Sequence, residues 1–150
     1  MSTDAYCLVE HNLIADIDTY GLLYNFNAVV DARNLSPEGW HVPTEAEWRT
    51  LINYLGGNDI AGGKMKDTES GLWQGSVPGS NNEVNFSAIP AGGRGRLGSA
   101  SDLGYYATWW SSTSFDSSYA WHWGLYPDKN SIRCNPGHKA SGFSVRCIKD

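Results

Sequence analysis

One stretch of this chain carries a complete helix-start signature, Pro43-Thr44-Glu45-Ala46-Glu47-Trp48, and it constrains what the rest can become. The Thr44 hydroxyl is placed to accept from the backbone N–H of Glu47 while the Glu47 carboxylate reaches back, a reciprocal capping box. Trp48, Leu51, Ile52 and Leu55 follow at i, i+3, i+4 and i+7, which makes one apolar stripe. Gly56-Gly57 then supplies a left-handed stop. The spacing predicts an amphipathic helix of about three turns packed on something flat.

Little downstream repeats that periodicity. Residues 56–104 hold most of the 17 glycines, which reads as long loops with brief strands near Lys64 and at residues 85–89. Upstream, residues 20–26 are aromatic and apolar enough for a strand. Residues 28–33 predict a second, shorter helix before Ser36-Pro37-Glu38-Gly39 turns the chain. After Gly104 the character changes: Tyr105, Tyr106, Trp109, Trp110, Phe115, Tyr119, Trp121, Trp123 and Tyr126 crowd into a short tract punctuated by Ser, Asp and Gly. Strands are predicted at 107–112, 120–125, 131–135 and 142–148, with turns at 115–118, 127–130 and 136–138. Early helices followed by an antiparallel meander define an α+β domain, and 150 residues are one domain's worth.

The net charge of −5 argues against a nucleic-acid backbone or an anionic membrane as the main partner. It is unevenly spread: residues 1–70 carry 4 basic and 11 acidic side chains, residues 71–150 carry 7 and 5. No apolar stretch approaches the roughly 20 residues of a membrane span, and the N-terminus lacks the pattern of a signal peptide. Cys7, Cys134 and Cys147 leave at least one thiol unpaired, and none is spaced as C-x-x-C. Each reads as a small buried apolar side chain.

Several motifs occur in order. Tyr20-Gly21-Leu22-Leu23-Tyr24, Pro37-Glu38-Gly39-Trp40-His41-Val42-Pro43-Thr44, Glu47-Trp48, Leu55-Gly56-Gly57 and Ala61-Gly62-Gly63-Lys64 occupy the first half. Phe86-Ser87-Ala88-Ile89-Pro90-Ala91-Gly92-Gly93-Arg94, Trp109-Trp110-Ser111-Ser112-Thr113, Ala120-Trp121 and Gly142-Phe143-Ser144-Val145-Arg146-Cys147 follow. Together they resemble the Fibrobacter succinogenes major paralogous domain family over residues 20–150, leaving 1–19 as an N-terminal segment. The resemblance implies a C-type lectin-like fold, distantly related to formylglycine-generating enzymes, with no settled activity. It also implies a Cys before the Pro-x-Gly-Trp-His turn, able to pair with the C-terminal Cys. Here that position is Ser36, so Cys147 is expected to be a buried free thiol.

The last forty residues are similar to variable regions diversified by retroelements, where adenines of Asn codons are scrambled. Changing the first two bases of AAC or AAT reaches the side chains of Asn135-Pro136-Gly137-His138 and those at Tyr119, His122, Gly124, Tyr126, Asp128, Asn130, Arg133, Ala140 and Ser141. Trp123 and Lys129 lie off that codon route.

Catalytic readings are weaker. His41 sits in a turn motif and reads as structural, bonding a backbone carbonyl. Formylglycine-type oxidation needs thiols in a cleft, and Cys134 with Cys147 on adjacent strands is the nearest approach in sequence. The Glu-Pro-Asn, Gln-Pro-Asp and Trp-Asn-Asp tripeptides of calcium-dependent lectins do not occur; Asp116, Asp128 and loop carbonyls offer a structural Ca²⁺ only weak support, and no metal site or cofactor is assigned. The expectation is a non-enzymatic module presenting residues 117–141 to a protein or glycan on a cell surface. Its location would be extracellular, cell-surface or virion-associated. Tyr119, His122, Trp123, Tyr126, Asp128, Asn130, Arg133, Asn135 and His138 form the expected binding face, large rings among adaptable polar groups. A formylglycine-type oxidase and a structural tile of a surface or virion are the alternatives.

Overall fold

Thr44 does start the helix. The computed structural model describes residues 6–7, 15–75 and 77–150; the rest of the N-terminal segment 1–19 lies outside the described residues. Elements run β1 (Tyr6–Cys7), α1 (Ala15–Tyr20), β2 (Leu23–Tyr24), α2 (Phe26–Val29), β3 (Trp40–His41), α3 (Glu45–Tyr54), α4 (Ala61–Met65), β4 (Gly93–Arg94) and β5 (Ala100–Ser101). Then come β6 (Ala107–Ser114), β7 (Tyr119–Leu125), β8 (Ile132–His138) and β9 (Ile148–Lys149). The domain is mixed α+β, with few helices and small antiparallel sheets.

In α3 the capping box forms as expected: Glu47 N donates to Thr44 Oγ1 at 3.2 Å and Thr44 N to Glu47 Oε2 at 2.8 Å. The flat partner is the sheet β6-β7-β8, whose central strand is β7. Trp48, Ile52 and Leu55 press onto one of its faces, where Trp48 lies 6.0 Å from Trp109 and 6.4 Å from Trp123. The opposite face carries Trp110, packed against Phe26 of α2 and Phe143 and donating from Nε1 to Tyr24 O at 2.8 Å. Both faces of the sheet are therefore covered.

Elsewhere the local expectations shift. Around Lys64 the chain is the short helix α4 rather than a strand, and residues 85–89 contribute a single bridge, Lys66 to Ala88. The second helix begins earlier than 28 because Asn25 caps it, accepting from Ala28 N at 3.0 Å. Residues 136–138 are strand, not turn: Pro136 stands opposite Trp121 in β8, which an edge strand tolerates. Residues 142–148 form no continuous strand of the meander, meeting its β6 edge where Ser144 bridges Trp109. They pass through isolated bridges to reach β9, which pairs with β3.

That crossing separates the two thiols expected on adjacent strands. Cys134 packs against the Trp48 side of the sheet, and Cys147 packs on the Trp110 side. Cys147 is a half-buried free thiol whose Sγ lies 3.2 Å from the Ser36 hydroxyl. The His41 ring bonds carboxylates in place of the expected carbonyl, Asp150 at 2.6 Å and Glu47 at 3.0 Å, and these carboxylates raise its pKa. Among the described residues no helix is long and apolar enough to cross a membrane.

Candidate functional site

The β7–β8 hairpin carries the expected binding residues, and packing divides them. Trp123 is 0% exposed and His122 only 7%. Both leave the binding face, because the middle of β7 is covered on both sides. Trp123 stacks on Trp48, while His122 lies 4.6 Å from the Phe143 ring and 6.0 Å from Trp110. Burial pushes the His122 imidazole down to about 4, so it is neutral at pH 7.

Asn130 is a third correction. Its amide is wedged between two glycines: a Cβ at Gly63 would stand 2.8 Å from Oδ1, and one at Gly79 would stand 2.8 Å from Nδ2. Gly63 N donates to Asn130 O at 3.1 Å, and Ile132 N to Asn58 O at 2.8 Å. Asn130 thus seats the loop against α4 instead of facing outward.

The exposed residues fall into two groups. At the loop joining β7 to β8, Tyr126 is 43% exposed and its ring lies 4.8 Å from that of Tyr106. Asp128 is exposed beside it. Beneath this loop the fully buried Lys66 donates from Nζ to Pro127 O at 2.9 Å and to Lys129 O at 2.6 Å. Desolvation lowers Lys66 to about 8, but the two carbonyls accept its hydrogen bonds and hold the loop in one shape.

At the other end of β7, Tyr119 is 40% exposed and packs edge-on to the half-buried His138 at 5.5 Å. Asp116 Oδ1 accepts from Ser118 N and Tyr119 N, each at 2.7 Å, fixing the tight turn. Lys139 Nζ donates to Asp116 O at 2.7 Å and clamps the turn onto β8. Arg133 and Asn135 lie exposed along β8 between the two ends. Arg133 reaches Asp59 at 3.6 Å, an exposed pair of little energetic weight.

Tyr126 lies seven positions after Tyr119, about 23 Å of extended chain. That span exceeds a small molecule and matches a protein-sized contact of roughly 800 Å² per partner. Sequence reasoning left out Tyr105, Tyr106 and Asp102, which border the Tyr126 loop from outside the tract. The signal available was the Tyr105-Tyr106 pair at the head of the aromatic run.

Cys134 is buried enough for its thiol to rise to about 11, and no other thiol is packed with it. No group of three or more His, Cys, Asp or Glu able to hold a metal ion occurs among the described residues.

Fold and surface together define a small α+β domain in which a doubly covered three-stranded sheet carries its loop ends into solvent. The chain belongs to the Fibrobacter succinogenes major domain family, whose model matches residues 1–149. No curated protein and no solved structure matches it.

Proposed function

We propose that the chain is a non-enzymatic recognition module of C-type lectin-like architecture. It would present Tyr119, Tyr126, Asp128, Arg133, Asn135 and His138 to a protein or glycan on a cell surface. The observation that carries this reading is the division of labour along the hairpin. Lys66, Asn130, Asp116 and Lys139 hold the loop backbones from within or across the turn. The neighbouring outward side chains are thereby spared folding duties and free to vary.

Retroelement diversification belongs to the same proposal, with a restriction. Of the positions on the Asn-codon route, His122 is buried and Gly124 lies under the Tyr106 ring, where a Cβ would collide with the hydroxyl. Variation would therefore be tolerated mainly at 119, 126, 128, 133, 135, 138 and 140. A near-copy of the coding DNA differing at adenines of those codons would support it.

The direct test randomises the six presented positions together and scores folding and binding separately. The expected outcome is that most variants keep a cooperative melt and that selections against a protein and glycan panel yield binders. For the parent chain, Tyr119→Ala with Tyr126→Ala should abolish capture of any panel member it recognises. General unfolding of the library, or capture indifferent to the double substitution, would overturn the proposal.

A further inference from the structure

Beside Tyr126 lies a groove of about 430 Å³ lined by Tyr105, Tyr106, Tyr126, Pro127, Asp102 and Asp128. Tyr105 is 54% exposed and Tyr126 43%, and both carboxylates are exposed. Neither Asp102 nor Asp128 takes part in an ion pair among the described residues.

The faces of phenol rings attract cations, and the chain already shows this one in use: Lys129 Nζ sits 5.6 Å from the Tyr126 ring centroid. The other nearby cation, Lys66, is buried behind the loop, donating to two carbonyls and acting on Asp128 from that side. The Tyr106 hydroxyl is pushed up to about 12, chiefly by desolvation, with Tyr126 and Asp102 adding to it. Two exposed carboxylates beside the aromatic faces favour a positive guest once Lys129 is displaced.

We infer that this groove receives an arginine side chain presented by a protein partner, the guanidinium stacked on exposed tyrosine and bonded to Asp102 and Asp128. The inference rests on the recognition-module reading and names the chemistry of one end of that surface. A guanidinium combines a flat face for the ring with five N–H donors for carboxylates. A quaternary ammonium has no such donors, and a lysine ammonium has no flat face. A sugar would stack on the rings but offer no cation to the two carboxylates. Lys129 serves as an internal stand-in, displaced when the arginine binds.

The test is an amide-resolved NMR titration of the whole chain with Nα-acetyl-arginine N-methylamide. Its neutral citrulline isostere, choline and galactose are run as separate arms. Shifts confined to residues 102–106 and 126–129, saturating at millimolar arginine derivative and absent with citrulline, are the expected result. Asp102→Asn with Asp128→Asn should weaken binding about tenfold, and Lys129→Met should strengthen it about threefold by freeing the ring. All three positions are exposed, so folding is retained and the native spectrum verifies it.

Equal response to citrulline, a response to choline or galactose in place of arginine, or indifference to the double Asn variant would each overturn the assignment. If arginine does not bind while Tyr126→Ala still abolishes partner capture, this inference falls and the recognition reading stands. If arginine binds here while capture ignores Tyr126, the groove is real and the wider face is wrong.

Discussion

At His122 a single proton is coupled to folding. The ring is 7% exposed, and desolvation lowers its pKa from 6.5 to about 4. Because the folded value lies below the unfolded one, the unfolded chain takes up the proton first as pH falls. The associated stability is complete above about pH 6.5 and is lost as pH drops toward 4. At 1.36 kcal/mol per unit the full window is worth roughly 3 kcal/mol. His122→Phe, which keeps an aromatic ring between Trp110 and Phe143, should flatten this part of the profile. Denaturant unfolding at pH 7 and pH 4.5 is expected to show the parent losing about 2 kcal/mol more than the variant; parallel profiles would refute the linkage. The site itself was partly legible at this scale. Tyr119, Tyr126, Asp128, Arg133 and Asn135 are exposed as their composition suggests, whereas His122 is polar by type and core by position.

Among the elements, β7 sets the limit on reading a strand by alternation. The pattern correctly assigns Trp123 and His122 to opposite faces, since Trp123 pairs with Trp109 and His122 with Trp110 across the sheet. Alternation is silent on what covers each face. Here α3 covers one, and α2 with residues 143–147 covers the other. Gly124 shows how tight the second face is, since Tyr106 lies directly over it. Gly124→Ala would drive the Tyr106 ring off the strand and disturb its stack with Tyr126. The expected cost is about 1–3 kcal/mol, read by thermal unfolding, together with NMR shifts at Tyr126. A neutral melt with unchanged Tyr126 signals would contradict this packing. Similarly, α4 is a helix despite two central glycines because Gly62 and Gly63 let residues 130–131 approach it: a Cβ at Gly62 would stand 2.7 Å from Asn130 O. Propensity alone argues against that helix, and a close approach supplied by a distant loop overrides it.

Over the whole molecule, the chain between Ser36 and Cys147 closes on itself without a covalent link. The Ser36 hydroxyl is 3.2 Å from Cys147 Sγ across 111 residues of sequence. Ser36→Cys should therefore oxidise to a disulfide with Cys147 and stabilise the fold by about 2–4 kcal/mol, mainly by restricting the unfolded chain. A melting temperature that rises in oxidant and returns to the parental value in reductant would verify it; a persistent pair of free thiols would not. Cys134, on the other side of the sheet, should stay reduced throughout. Sequence alone determined α3, the turns at 115–118 and 127–130, and the α+β class. Caps and stops act within a few residues and these two turns join strands that pair with each other, whereas pairing with β7 overruled the turn signal at Pro136-Gly137. Tertiary structure decided which faces of β7 meet solvent, why Asn130 turns inward, and how the rings at 105 and 106 join Tyr126. Those outcomes depend on which remote segments dock against the strand, and burial is a property of the docked pair rather than of either segment.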